Sequence, residues 1–168
     1  TDESNESKNC GSAFPIDLVQ LSKHHIEFLQ TLHHLGVTIH RPSPRSLHRY
    51  RDIWLPLVHS HPNQELIPPA DCAWLWHCHR LAPFRYVAYV KRQFGEDCKV
   101  LEAKPAFSFQ YRADTDEVFY GSMLTTMSTT PEDDVSASSA AAKARALWHQ
   151  QYPSESFHLQ EADMSLSR

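Results

Sequence analysis

Leu18, Leu21, His25, Phe28, Leu29, Leu32 and Leu35 recur at spacings of three and four residues and stop at Gly36. That spacing gathers all of them on one side of an α-helix, and glycine readily takes the left-handed conformation by which helices end. The sequence therefore predicts a helix that opens near Pro15 and closes at Gly36, and other apolar helices are needed to cover its stripe. Three follow. Ser43 can cap and Pro44 can open a second helix carrying Leu47, Tyr50, Trp54, Leu57 and Val58, with Pro56 expected to bend it or end it early. A loop from His61-Pro62 to Pro68-Pro69 leads to Asp71, placed to cap a third, short and very apolar helix through Leu81. Pro83 opens a fourth that runs to Phe94 and closes at Gly95. Two antiparallel helical hairpins are expected, with Leu18, Phe28, Leu32, Tyr50, Trp54, Trp74, Leu75, Trp76 and Tyr86 in the core.

Beyond Cys98 the period changes. Phe107, Phe109 and Tyr111 alternate with small or polar residues, as do Val118 and Tyr120 after Asp114-Thr115-Asp116, which allows a small β-hairpin near 106–121. Residues 123–139 are rich in Ser and Thr, contain the acidic run Glu132-Asp133-Asp134, and read as a linker that turns helical in the Ala-rich stretch 140–151 before Pro153 stops it. Trp148, Tyr152 and Phe157 are aromatic anchors by which the C-terminal segment would pack back on the core. The fold class is thus mainly α, a compact domain of about four core helices plus a C-terminal helix. Its expected divisions are a polar tail over 1–14, a helical core over 15–98, a hairpin and linker segment over 99–144, a closing element over 145–159 and a tail over 160–168.

Composition excludes several function classes. Of the 168 residues 41% are hydrophobic and 21% charged, which fits neither a wholly disordered chain nor a membrane protein. Sixteen basic and twenty acidic residues leave a net charge of −4, which argues against nucleic acid as the partner of this domain, although twelve histidines would reverse the sign on acidification. With glycine only at 11, 36, 95 and 121, no Gly-rich phosphate loop can be written. The first residues are polar and acidic, without a basic start or an apolar run, so a cytoplasmic protein with no membrane partner is expected. The four cysteines, Cys10, Cys72, Cys78 and Cys98, contain no C-x-x-C pair, and reduced thiols are expected. On one helix Cys72 and Cys78 would lie about 9 Å apart, too far for a disulfide.

Chemistry concentrates in Asp71-Cys72-Ala73-Trp74-Leu75-Trp76-His77-Cys78-His79-Arg80. On a helix, residues two apart point about 200° away from each other, so His77 and His79 cannot chelate one ion together. Asp71, Trp74 and His77 share one face; Cys72, Trp76 and His79 share another. A divalent metal such as zinc would need ligands drawn from His77, His79, Asp71 and Cys98, or from a histidine of the first helix. Each residue also has a structural reading: Asp71 as an N-cap, Trp74, Leu75 and Trp76 as core, Cys78 as small packing material, His77 as a buried imidazole satisfied by hydrogen bonds, and His79 with Arg80 at the negative end of the helix dipole. Arg41, Arg45, Arg49 and Arg51 read as a solvated patch at the start of the second helix. No nucleophile elbow, H-E-x-x-H helix or kinase-like signature is present, and no catalytic residue is assigned.

The order Tyr50-Arg51-Asp52-Ile53-Trp54-Leu55-Pro56-Leu57, then Pro68 through Pro83, then Tyr86, resembles the N-terminal domain of the glycine-rich domain-containing protein family, best known in plants. Leu147-Trp148, Tyr152-Pro153-Ser154-Glu155 and Phe157 resemble that family's closing element. The resemblance covers residues 16–98 and, more loosely, 145–159. It implies a role in stress or growth responses and no established catalytic activity; the glycine-rich and RNA-binding regions that some members carry have no counterpart among these residues. Two functional readings follow. One is a non-enzymatic helical interaction domain with a groove beside the aromatic and histidine segment for a protein partner. The other is a metal-binding protein or metal-dependent enzyme using Asp71, His77 and His79.

Overall fold

The computed structural model describes residues 18–103 and 131–159. Helix α1 spans Leu18–His34. It ends as its sequence dictates: Gly36 takes φ +70°, the Gly36 amide donates to the His33 carbonyl at 3.0 Å, and the Val37 amide donates to Leu32 at 2.9 Å. These reversed bonds satisfy carbonyls that the helix would otherwise leave open. The stripe is used unevenly. Phe28 and Leu32 are buried with Ala73 in a small core of their own, whereas Leu18, expected inside, is 58% exposed because it lies in the first turn, well before that contact.

The second predicted helix is one helical run with a widened middle. Helix α2, Pro44–His48, starts with Pro44 in its first turn and the Ser43 hydroxyl accepting from the Ser46 amide at 3.0 Å. A π-helical stretch, Arg49–Trp54, leads into α3, Leu55–Ser60. Pro56 was expected to bend or end this helix early, yet the chain stays helical to Ser60. The wide turn is the physical reason: the Leu55 amide reaches back to the Tyr50 carbonyl, and a wider turn just before a proline relieves the clash between its ring and the preceding turn. The same widening carries Arg49, Tyr50, Ile53 and Trp54 into the interior.

Helix α4, Ala70–Arg80, passes through the middle of the molecule and α5, Pro83–Phe94, follows after a short turn. Gly95 closes α5 at φ +92°, its amide bonded to the Lys91 carbonyl at 2.8 Å. A single 3-10 turn, Lys99–Leu101, then covers the base of α5. A relay of hydrogen bonds links these three elements: Trp76 Nε1 donates to the Tyr86 hydroxyl at 3.0 Å, which donates to the Val100 carbonyl at 3.2 Å. Each group is buried, so the relay satisfies polar atoms that would otherwise be costly in an apolar interior.

Helix α6 runs Pro131–Gln151 and so begins well before the Ala-rich stretch, inside the segment read from sequence as linker. Pro131 opens it, proline being suited to the first turn of a helix. Ala144 and Trp148 are completely buried, and Phe157 beyond the helix folds back so that its ring meets Trp148 edge-on at 5.4 Å. These residues join Tyr50, Trp54, Trp76 and Val100 in one core. The domain is mainly α and compact, and among the described residues no strand is present. The hairpin expected near 106–121 lies outside the described residues, as do Cys10 and Pro15. No helix among the described residues is long and apolar enough to cross a membrane.

Candidate functional site

The chemistry-rich segment forms α4, and its side chains divide among three environments. Toward the C-terminal segment, Asp71 is 2% exposed and faces Arg49, which is completely buried. Arg49 Nε donates to Asp71 Oδ2 at 2.8 Å and Nη2 to Oδ1 at 3.3 Å, a two-pronged pair between residues 22 apart in the chain. The remaining guanidinium donors reach the backbone: Nη1 bonds the Ser156 carbonyl and Nη2 the Phe157 carbonyl at 2.7 Å. The guanidinium also lies over the Trp148 ring at 4.9 Å, a cation–π contact. Burial works against the charge on Arg49, but Asp71 outweighs it and its pKa lies above the ordinary value.

This arrangement corrects two expectations. Asp71 is not the N-cap of α4: Pro69 holds that position without a side-chain hydrogen bond, and Asp71 sits one residue inside the helix with its carboxylate turned to Arg49. Arg49 is not part of a solvated basic patch. It follows Ser46 by three and precedes Ile53 by four, both buried, and lies with them on an inward side of the helical run that the predicted stripe does not include, while Leu47 of that stripe is 46% exposed.

On the α1 side, His77 is buried, with its ring 5.2 Å from His25, 5.6 Å from Phe28 and 5.7 Å from Trp74. Burial first, and the neighbouring His25 second, lower its pKa. Trp74, half-buried, donates Nε1 to the Ile39 carbonyl at 3.1 Å and so ties α4 to the turn after α1.

On the opposite face, His79 stands among three tyrosines. Its ring meets Tyr50, Tyr86 and Tyr89 edge-on at 6.0, 5.0 and 5.2 Å. Nδ1 bonds the Tyr50 hydroxyl at 2.9 Å. Burial raises the Tyr50 pKa far above its usual value, so the phenol keeps its proton and is able to serve as the donor to Nδ1. Burial also lowers the His79 pKa and favours the neutral ring, which carries its proton on Nε2 when the hydroxyl is the donor.

The four residues named as metal ligands are therefore not brought together. Asp71 is committed to Arg49, His77 and His79 point to opposite sides of α4, and Cys98 is buried in the main core. Among the described residues no three His, Cys, Asp or Glu side chains converge as a metal site would require. Cys72, Cys78 and Cys98 are free thiols, and burial, with Asp71 next to it, pushes the Cys72 thiol well up, away from the reactive thiolate. Beside Trp76 a groove of about 240 Å³ is bounded by Val58, His61, Leu66, Lys99 and Glu102, the last two paired with each other at 3.3 Å.

Comparison with known proteins finds relatives of this chain. The chain is 29% identical over 151 residues to Glycine-rich domain-containing protein 1 of Arabidopsis thaliana, which covers 86% of this chain and 15% of that protein. It is 34% identical over 87 residues to Glycine-rich domain-containing protein 2 of the same plant, covering 48% of this chain and 11% of that protein. The chain thus spans only a small part of the length of these curated relatives. No family model matches the chain, and no solved structure matches it. In sequence, this chain is similar to the plant glycine-rich domain-containing proteins.

Proposed function

We propose that this domain is a non-enzymatic helical scaffold that presents surfaces to protein partners, and that it acts in stress or growth signalling as the resemblance implies. The observation that supports this reading is the commitment of its chemically able side chains to one another. Arg49, Asp71, Tyr50, His79, Trp76 and Tyr86 all make internal bonds that tie helices together. A body braced in this way offers a partner its outer helix faces, where Val19, Ile26, Leu81 and Phe84 lie in solvent.

Crosslinking in an extract of the source cells, read by mass spectrometry, tests the proposal. Wild-type protein is compared with Val19→Ser/Ile26→Ser and Leu81→Ser/Phe84→Ser variants whose melting curves match it. Specific crosslinks that vanish from one folded variant support a scaffold. A stoichiometric metal that survives dialysis of untagged protein and disappears in His77→Gln would replace this reading with the metal-binding one.

A further inference from the structure

Helix α5 is apolar on both sides, and the core needs only one of them. Tyr86 and Val90 are buried, while Phe84 is 91% exposed, Leu81 just before the helix is 71% exposed and Val87 is 38% exposed. At 100° per residue, Phe84 and Ala88 stack along the outward line, about 6 Å apart, with Val87 on one flank. Ala88 is exposed and small, so a partner's backbone can approach closely there.

The other flank is positive. Residues 80–95 contain no Asp or Glu, in a chain whose net charge is −4. Arg85 and Arg92 are exposed and fall about 90° round from Phe84. Arg85 makes no hydrogen bond or ion pair with the described residues, and Arg92 lies over the Tyr89 ring at 5.7 Å and makes no ion pair with them either. Lys91 is the cation of this helix that is neutralised, by Glu96 at 2.6 Å.

From this juxtaposition we infer that the outer face of α5, centred on Phe84, docks an acidic amphipathic helix of a protein partner. The inference rests on the scaffold reading and names its surface. Apolar side chains at three- and four-residue spacing on the partner pack along the Leu81, Phe84 and Ala88 line, and carboxylates beside them meet Arg85 and Arg92. A second copy of this chain fits less well, since a two-fold pairing of the same face would set Arg85 and Arg92 against their own like charges. An anionic bilayer fits less well because its plane would meet the acidic protein as a whole, whereas a helix meets this face alone.

A synthetic peptide with leucines at three- and four-residue spacing and glutamates on the remaining positions is the probe, with a lysine version as control. Titration followed by backbone amide NMR is expected to shift residues 81–92, with saturable binding that weakens as salt is raised. Phe84→Ser and Arg85→Glu, both at exposed positions, should each weaken binding at least about tenfold with unchanged melting temperatures, whereas Val19→Ser/Ile26→Ser should not. The inference is overturned by equal binding of the lysine peptide, by shifts centred elsewhere or by no saturable binding. It is equally overturned by a Phe84-dependent dimer in sedimentation, or by Phe84-dependent binding to phosphatidylcholine–phosphatidylserine vesicles in preference to the peptide. If the crosslinks depend on Val19 and Ile26 instead, the scaffold reading stands and this surface assignment falls.

Discussion

The Arg49 guanidinium and the Asp71 carboxylate meet 2.8 Å apart in the interior, and the same guanidinium bonds the carbonyls of Ser156 and Phe157. One side chain thereby joins the π-helical stretch, α4 and the C-terminal segment. A buried ion pair stabilises a fold only when its remaining donors are also satisfied, and here every nitrogen of the guanidinium has a partner.

Removing either member should therefore be severe. Arg49→Met leaves Asp71 buried and unpaired, and Asp71→Asn strands the guanidinium; each should cost about 3 to 5 kcal/mol in urea unfolding. Arg49→Met with Asp71→Leu should cost much less than the sum of Arg49→Met and Asp71→Leu made separately. Strict additivity would show that the two side chains are not coupled.

The C-terminal segment should be part of the cooperative fold. Deleting residues 145–168 takes away Trp148, Phe157 and two of the acceptors of Arg49. The truncated protein should melt at a lower temperature and bind hydrophobic dye. A truncated form with the wild-type melting temperature and no added dye binding would mean that the segment is not needed by the core.

Trp54 is completely buried and meets Trp76 edge-on at 5.9 Å. Trp54→Ala should cost on the order of 3 to 5 kcal/mol, from lost burial and the cavity left behind. An unchanged denaturation midpoint would contradict its central position.

Stability should fall as pH drops through the histidine range. His77 and His79 have pKa values lowered from 6.5, chiefly by burial, so at pH values just below that figure the unfolded chain takes up protons that the native rings refuse. Their contribution is fully present above the unfolded value, declines as pH falls below it, and levels off once the native rings protonate. The urea midpoint should decrease between about pH 7 and pH 5, and His77→Gln should flatten part of the slope. A midpoint that rises over this range would reverse the assigned sign.

Tyr50 should set the tautomer of His79. Nitrogen chemical shifts at neutral pH should show a bare Nδ1 and a protonated Nε2. Tyr50→Phe should mix the tautomers and cost about 0.5 to 1.5 kcal/mol. A proton on Nδ1 in the wild-type protein would refute the hydroxyl as donor.

The positions of the helices were legible because their signals are local. The spacing of Phe28 and Leu32, the cap at Ser43 and the stops at Gly36 and Gly95 act within a turn or two of where they stand. The separation of His77 from His79 is equally local, since 100° per residue forces it. The early start of α6 was not legible: Ser and Thr have weak helix propensity, and contacts made further along by Ala144 and Trp148 support the helix as a whole. Leu18 fails for the opposite reason, a residue with the right period that stays 58% exposed.

The sequence by itself thus determined that this protein is a helical domain, roughly where its core helices lie along the chain, and which family it resembles. Only the tertiary structure decided what Arg49 and Asp71 do. Near a helix start an aspartate satisfies backbone amides, and on a basic stretch an arginine faces water, and both readings are locally sound. The pair forms because folding brings residues 22 positions apart into an interior without water, where each charge makes the other tolerable. Likewise, the tyrosines around His79 come from two other elements, the π-helical stretch and α5, so the state of that imidazole is a property of the assembled fold.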